Sequence, residues 1–275
     1  MNPTLSVITV SYNAETEIEK TIQSVLAQTF TDYEYIFIDG GSKDKTVAII
    51  ESYRERFEAK GVSYRVTSEP DKGIYDAMNK GANKCAGHWA VMLNAGDCFV
   101  DEKVLEDIFR QNVPKGHILY GDAVLQVVAG GKSYYKGQKA FPLEKIEEFM
   151  PFCHQSVFAP VELLREYGFD TDLRITADYK FFVQAYTSGK PFTYVSRFVS
   201  VFDRSGVSSA NPEKLKAEYD TVKTAFFEDP KLEPVQWRQS GFSAVLKAFV
   251  KRFLPAIGYP LSGWSTDPHF YQKED

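Results

Sequence analysis

The chain has 275 residues, 44% of them hydrophobic and 25% charged. That supports one large domain, or one domain with an appendage, and excludes wholesale disorder. A net charge of −5 excludes a general nucleic-acid binder, because binding phosphate backbones needs a basic surface.

The opening MNPTLSVITVSYN lacks a basic region followed by a long apolar run, so no signal peptide is expected. Leu5 to Val10 is short, apolar and β-branched, which predicts a buried strand ending at Ser11-Tyr12-Asn13. Ile18, Ile22, Val25 and Leu26 recur at helical spacing, with Glu15 and Glu17 where a helix dipole favours acids. Tyr35 to Ile38 predicts a second strand, stopping at Asp39-Gly40-Gly41-Ser42. Asp44 then precedes a helix carrying Val47, Ile49, Ile50, Tyr53 and Phe57. Tyr64 to Thr67 reads as a third strand, Ile74 to Lys84 as a helix, and Trp89 to Leu93 as a fourth strand ending in Asn94-Ala95-Gly96-Asp97. Alternating strands and helices imply a parallel sheet with right-handed crossovers. The three polar loops are expected to meet on one edge and form a single cleft.

After Asp101 the rhythm changes. Ile118 to Tyr120 predicts a strand stopping at Gly121-Asp122, and Val124 to Val128 with Ser133 to Lys136 predicts a hairpin. Leu143 to Met150 reads as helical, Ser156 to Ala159 as a strand, and Pro160 to Tyr167 as a helix with Pro in its first turn. Ala177 to Tyr186 reads as a helix beginning beside Asp178, Thr193 to Phe202 as a strand, and Pro212 to Glu228 as a helix. Gly241 to Leu254 carries Phe242, Val245, Leu246, Phe249 and Phe253 on one face, with Lys247, Lys251 and Arg252 and no acid. Two readings stand: a helix packed on the domain or on a second subunit in a homodimer, or an interfacial helix on an anionic membrane. No run of about 18 apolar residues occurs, so no segment is expected to span a bilayer. Cys85, Cys98 and Cys153 are an odd set without CxxC spacing, which points to reduced thiols in the cytosol.

Asp97, behind Gly96 at a strand end, is placed to hold a hard cation against a phosphate. An ordinary Asn-Gly-Asp turn accounts for the same residues. Asp39 is suited to accept from a nucleobase N–H or ribose hydroxyls, or else to cap the following helix, as Ser42 or Asp44 also could. Gly73 permits close backbone approach, and the helix it enters can offer amides to phosphate. Asp178 at a helix start stays ionised beside the dipole and can take a proton, or it merely caps.

Taken together, SVITVSYNAE, IDGGSKDKT, SEPDKGIYDAMNKG, LNAGD, CHQSVF and ITADYKFF resemble the family 2 inverting glycosyltransferases of the GT-A fold. The similarity is closer to bacterial enzymes of colanic-acid-type exopolysaccharide, capsule and O-antigen synthesis, and covers residues 4–210. It implies an α/β domain with a mainly parallel central sheet flanked by helices, and a C-terminal helical extension. Residues 1–100 would form the nucleotide-binding half, 101–210 the acceptor-binding half, and 211–275 the extension. It implies transfer from a nucleotide-diphospho-sugar, with UDP favoured, to a hydroxyl of a glycan or lipid-linked glycan. That places the chain in the cytoplasm, at the inner face of the plasma membrane under the interfacial reading.

By the same resemblance, Asp178 is the catalytic base and Asp97 the ligand of Mn2+ or Mg2+. Ser11, Tyr12, Asn13, Asp39, Asp71, Asn79, Asn94, Ala95, Gly96 and Arg204 lie on the nucleotide-sugar side, with Glu69, Lys72 and Tyr75 nearby. Phe152 lines the acceptor side, His154 and Gln155 form an acceptor-side or diphosphate-side element, and Asp122 is a turn residue that could also line the cleft. Many relatives carry two adjacent acids where this chain has Gly96-Asp97, which removes the first acid's sugar or ribose contact and leaves Asn94 to supply a weaker polar one. A nucleotidyltransferase, a glycoside hydrolase and a non-catalytic nucleotide-sugar binder are the competing readings.

Overall fold

The structure, a computed structural model, describes residues 2–110, 113–129, 131–203, 211–230, 232 and 265–269. Its first part runs β1 (Leu5–Ser11), α1 (Ile18–Leu26), β2 (Tyr33–Asp39), α2 (Thr46–Ser52), α3 (Arg54–Ala59), β3 (Ser63–Ser68), α4 (Ile74–Lys84) and β4 (Trp89–Met92). The one helix expected after Asp44 is split at Tyr53. That ring is buried, and its hydroxyl donates to Glu19 (2.6 Å) and accepts from Gln23 (3.0 Å), both on α1.

The second part holds β5 (Cys98–Phe99), α5 (Val104–Phe109), β6 (Ile118–Ala129), β7 (Lys132–Gln138), β8 (Val157–Pro160), α6 (Val161–Tyr167), α7 (Ala177–Thr187), β9 (Phe192–Asp203) and α8 (Pro212–Phe226). Leu143–Glu147 and His154–Ser156 are 3₁₀ turns, the first tighter and shorter than the helix expected there. The strands form one sheet in the order β3-β2-β1-β4-β8-β6-β9-β5, with β7 on β6. β3, β2, β1 and β4 are parallel; β8 runs antiparallel to both β4 and β6, and β9 parallel to β6.

Side chains of a strand alternate between faces. Leu5, Val7, Tyr35 and Phe37 therefore enter one core, and Ile8, Val10, Ile36 and Ile38 the other. Helices α1, α2, α3 and α5 close the first core; α4, α6, α7 and α8 close the second. With both faces covered, β1 and β2 are buried along their whole length. The three-layer arrangement leaves the loop-bearing edge of the sheet as the place for a site.

Two expectations are corrected. Strand β6 does not stop at Gly121-Asp122: it passes through, with its pairing to β9 shifting register on either side of Asp122. The buried Asp122 carboxylate accepts from the Tyr194 hydroxyl (3.0 Å) and the Ala140 amide (2.9 Å), so it is neither a turn nor a cleft residue. Leu215, Tyr219 and Val222 of α8 are buried with residues of α4 and α7. Arg204 and the predicted helix 241–254 lie outside the described residues. Among the described residues, no helix is long and apolar enough to cross a membrane.

Candidate active site

The carboxyl ends of β1, β2 and β3 are tied by one side chain. Asp39, fully buried at the end of β2, accepts at Oδ1 from the hydroxyls of Ser11 (3.1 Å) and Ser42. Its Oδ2 accepts from the amides of Gly41 (3.0 Å) and Ser42 (2.8 Å) and from the Ser68 hydroxyl (2.7 Å). Burial pushes its pKa up, but the Ser42, Ser68 and Ser11 bonds outweigh it and hold the carboxyl below its ordinary value. The stabilisation is complete above the unfolded value of about 3.9 and is lost as pH falls through the lower folded value. Asp39→Asn is expected to cost roughly 1.5–3 kcal/mol at neutral pH, because it removes a charged acceptor from several donors. Paired denaturation curves at pH 7 and below pH 4 check this: the gap between wild type and variant narrows at the lower pH.

Around this knot lies the expected nucleotide side. Asn13 takes a left-handed conformation (φ 48°), with its side-chain oxygen on the Lys43 amide (2.9 Å). Asp71 accepts from the Gly73 amide (2.8 Å). Gly40 lies where Asp71 and the exposed Tyr12 converge: a Cβ there would collide with Asp71 Oδ2 and press on the Tyr12 ring at 3.3 Å. A cleft of about 170 Å³ beside this loop is lined by Lys72, Gly73, Tyr75, Leu173 and Arg174, among others. Asn79 does not face it. Its amide donates to Phe169 O (2.7 Å) and accepts from Phe169 N (2.7 Å), clasping α4 to the loop after α6.

The second group is more compact. Asp97, 5% exposed, accepts from Gln155 Nε2 (3.0 Å). Gln155 is oriented by Cys153, whose thiol donates to Gln155 Oε1 (2.8 Å). Burial, then the charges of Asp97 and Asp178, pushes the Cys153 pKa up and keeps the thiol protonated for that bond. His154 Nδ1 pairs with Asp178 Oδ2 at 3.0 Å, and His154 Nε2 lies 3.5 Å from Asn94 Nδ2. Burial opposes charge on His154, but the bond to Asp178 and the charges of Asp178 and Asp97 outweigh it and raise its pKa. Asp178, in the first turn of α7, also accepts at Oδ1 from Tyr75 OH (3.3 Å) and the Tyr179 amide (2.9 Å). Burial first, then the Asp178 charge, keeps Tyr75 well above its ordinary pKa and hence a donor. The structure thus brings Asp97, Asn94, His154, Gln155 and Asp178 together.

Phe152 is not part of an exposed platform. It is 3% exposed and packs against Tyr120, Phe182 and Phe192 with ring centroids 4.9–6.3 Å apart. The orienting thiol of Cys153 and the Tyr75–Asp178 bond were missed from sequence. Only the adjacency in Cys153-His154-Gln155 offered a signal, and only for the first.

Gly96 explains itself through its backbone. Its φ is +102°, a region L side chains rarely adopt, and its amide donates to Thr21 Oγ1 (2.9 Å). Ala95 is likewise fixed by its backbone, its amide donating to Val10 O (3.1 Å). A Cβ at Gly96 would also lie 3.6 Å from that of Glu17. Gly96→Asp, meant to restore paired acids, is expected instead to lose roughly 1–3 kcal/mol of stability, from strain at that φ. Chemical denaturation measures this; an unchanged midpoint would count against the strain.

A divalent cation fits the residues present. Asp97 offers a carboxylate, and Asn94 Oδ1 is a buried oxygen without a hydrogen-bond partner. Both are hard donors of the kind Mg2+ and Mn2+ take alongside waters and phosphate oxygens. Among the described residues, no group of three or more His, Cys, Asp or Glu forms a complete cage.

The family model described as "Glycosyl transferase family 2" matches residues 6–165. An uncharacterized glycosyltransferase of Mycobacterium tuberculosis is 33% identical over 214 residues, 75% of this chain and 78% of the relative. Among solved structures, S. aureus TarS 1–349 in complex with UDP-GlcNAc is similar with a TM-score of 0.62 at 20% identity, covering 84% of this chain and 68% of that one. The chain spans 39% of the longer TarS chain. The mannosyltransferase PcManGT from Pyrobaculum calidifontis, in complex with GDP-Man and Mn2+, matches with a TM-score of 0.54 at 16% identity over 79% of this chain and 60% of that one. With the family model spanning more than half its length and its sheet and flanking helices in the GT-A arrangement, the chain belongs to glycosyl transferase family 2.

Proposed function

We propose that the chain is an inverting, metal-dependent glycosyltransferase that moves a sugar from a nucleotide-diphospho-sugar to an acceptor hydroxyl. The observation that carries this is one cleft edge holding Asp97, His154 and Asp178 beside the Asp39–Asp71 loops. Residues 1–100 would hold the donor and 101–210 the acceptor. A UDP-sugar is the first donor to try, supported by the higher likeness to a UDP-GlcNAc complex than to a GDP-Man complex. The acceptor class is a glycan or lipid-linked glycan in bacterial surface polysaccharide assembly, at the inner face of the plasma membrane. There residues 241–254 would meet the lipid or a second copy.

Asp178 takes the proton from the acceptor oxygen as that oxygen attacks the anomeric carbon. Tyr75 and His154 fix the two carboxylate oxygens, so the base meets the acceptor in one orientation. The sugar–phosphate bond breaks on the opposite face, and the configuration inverts. Asp97 and Asn94 would hold the cation, whose chemistry is to neutralise charge on the departing diphosphate. Tyr12 and Asp71 flank the nucleotide, and Asp39 holds their loops in place.

The test is a panel of nucleotide-sugars with manganese, read by thermal shift and by nucleoside diphosphate release. The expected result is one donor that stabilises the protein, by about 2.7 kcal/mol at a hundredfold excess over Kd, and releases diphosphate when acceptor is added. Stabilisation without release would indicate a binding protein. Sugar release from free glycans without nucleotide would indicate a hydrolase.

A further inference from the structure

We propose that Glu218 of α8 is the positioning residue for the base, capping from a distant part of the chain the segment that delivers Asp178. The inference rests on Asp178 as base. Helix α7 has no cap of its own: Thr176, at its N-cap, makes no side-chain capping bond. Helix starts leave backbone N–H groups without intrahelical partners. Glu218, 8% exposed, meets this need from another helix. Its Oε1 accepts from the Arg174 amide (3.0 Å), and its Oε2 from the Ile175 amide (2.8 Å), the Thr176 amide (3.0 Å) and the Thr176 hydroxyl (3.2 Å). Three consecutive amides converge on one carboxylate, a concavity that favours an anion.

The neighbouring contacts fix the register of α8 on α7. Tyr219 packs against Tyr179, the residue after Asp178, with ring centroids 4.4 Å apart and the planes tilted by 43°. Leu215 and Val222, on either side, are buried in the same core. Arg174, whose amide Glu218 holds, reaches with its guanidinium to Lys72 O (2.9 Å), in the loop between Asp71 and Gly73. Because misplacing a catalytic group by about 1 Å can cost 10²-fold in rate, loss of Glu218 should appear in turnover, not only in stability.

The experiment uses the full chain with Glu218→Ala, Glu218→Gln and, in parallel, Asp178→Asn. Compared at equal folded fraction, Glu218→Ala is expected to lower kcat about 10²-fold with donor KM unchanged. Amide exchange at Arg174, Ile175 and Thr176 is expected to rise. Glu218→Gln keeps the shape and one acceptor oxygen and should recover part of kcat. A kcat within threefold of wild type in Glu218→Ala, with Asp178→Asn inactive, overturns the proposal. So does a kcat loss that merely follows the unfolded fraction, or a donor KM that rises as much as kcat falls. Full turnover in Asp178→Asn removes the base itself, and with it the positioning role; the exchange data then report a structural cap alone.

Discussion

Asp178→Asn is expected to lower kcat by about 10²–10⁴-fold, the range of a lost general base, while leaving donor binding intact. The substitution keeps the size of the side chain and an oxygen for the Tyr75 and Tyr179 bonds, made at 3.3 and 2.9 Å. What it removes is the capacity to take a proton. It also removes the anion that pairs with His154 at 3.0 Å and helps raise its pKa. The donor's thermal shift is the control, since the side chains that hold Asp178 are His154 of the 3₁₀ turn and Tyr75 of α4, not the Asp39 loops. Turnover at the wild-type rate would transfer the role of base to another group.

Asp97→Asn is expected to reduce turnover by about 10²–10³-fold, the scale on which one electrostatic stabiliser of a developing charge is missed. Unlike the first variant, it should also weaken the donor's response to manganese. Asp97 is almost fully buried and is met by Gln155 Nε2 at 3.0 Å. An amide at 97 can still accept that bond while the negative charge is lost. Titrating manganese against both thermal shift and diphosphate release separates the two effects. An unchanged manganese midpoint would sink the assignment of Asp97 to the cation.

Much of the first hundred residues is legible in the sequence because the signals are local. Helix α4 falls on the expected Ile74–Lys84, since a Gly before it and an amphipathic spacing within it define both ends. The turn after β4 is legible as a site because Asp97 follows a buried strand. The later elements are harder. Strand β6 ignores its Gly-Asp stop signal because Tyr194 and Ala140 satisfy Asp122 across the sheet, a contact invisible along the chain. Phe152 reads as a platform by adjacency to His154, yet three distant aromatics bury it. Asn79 reads as a pocket residue by neighbourhood, yet both its polar atoms meet Phe169, ninety positions away. Glu218 carries no motif at all. Its role exists only where α8 crosses the start of α7.

That crossing gives the protein an order of construction. The strands that carry the nucleotide side are complete by Met92, long before the rest is synthesised. Glu218 follows Asp178 by forty positions, so at about 5–20 residues per second a ribosome has the base in hand for a few seconds before its support emerges. The support of the proposed base is therefore the last part of the described site to be synthesised.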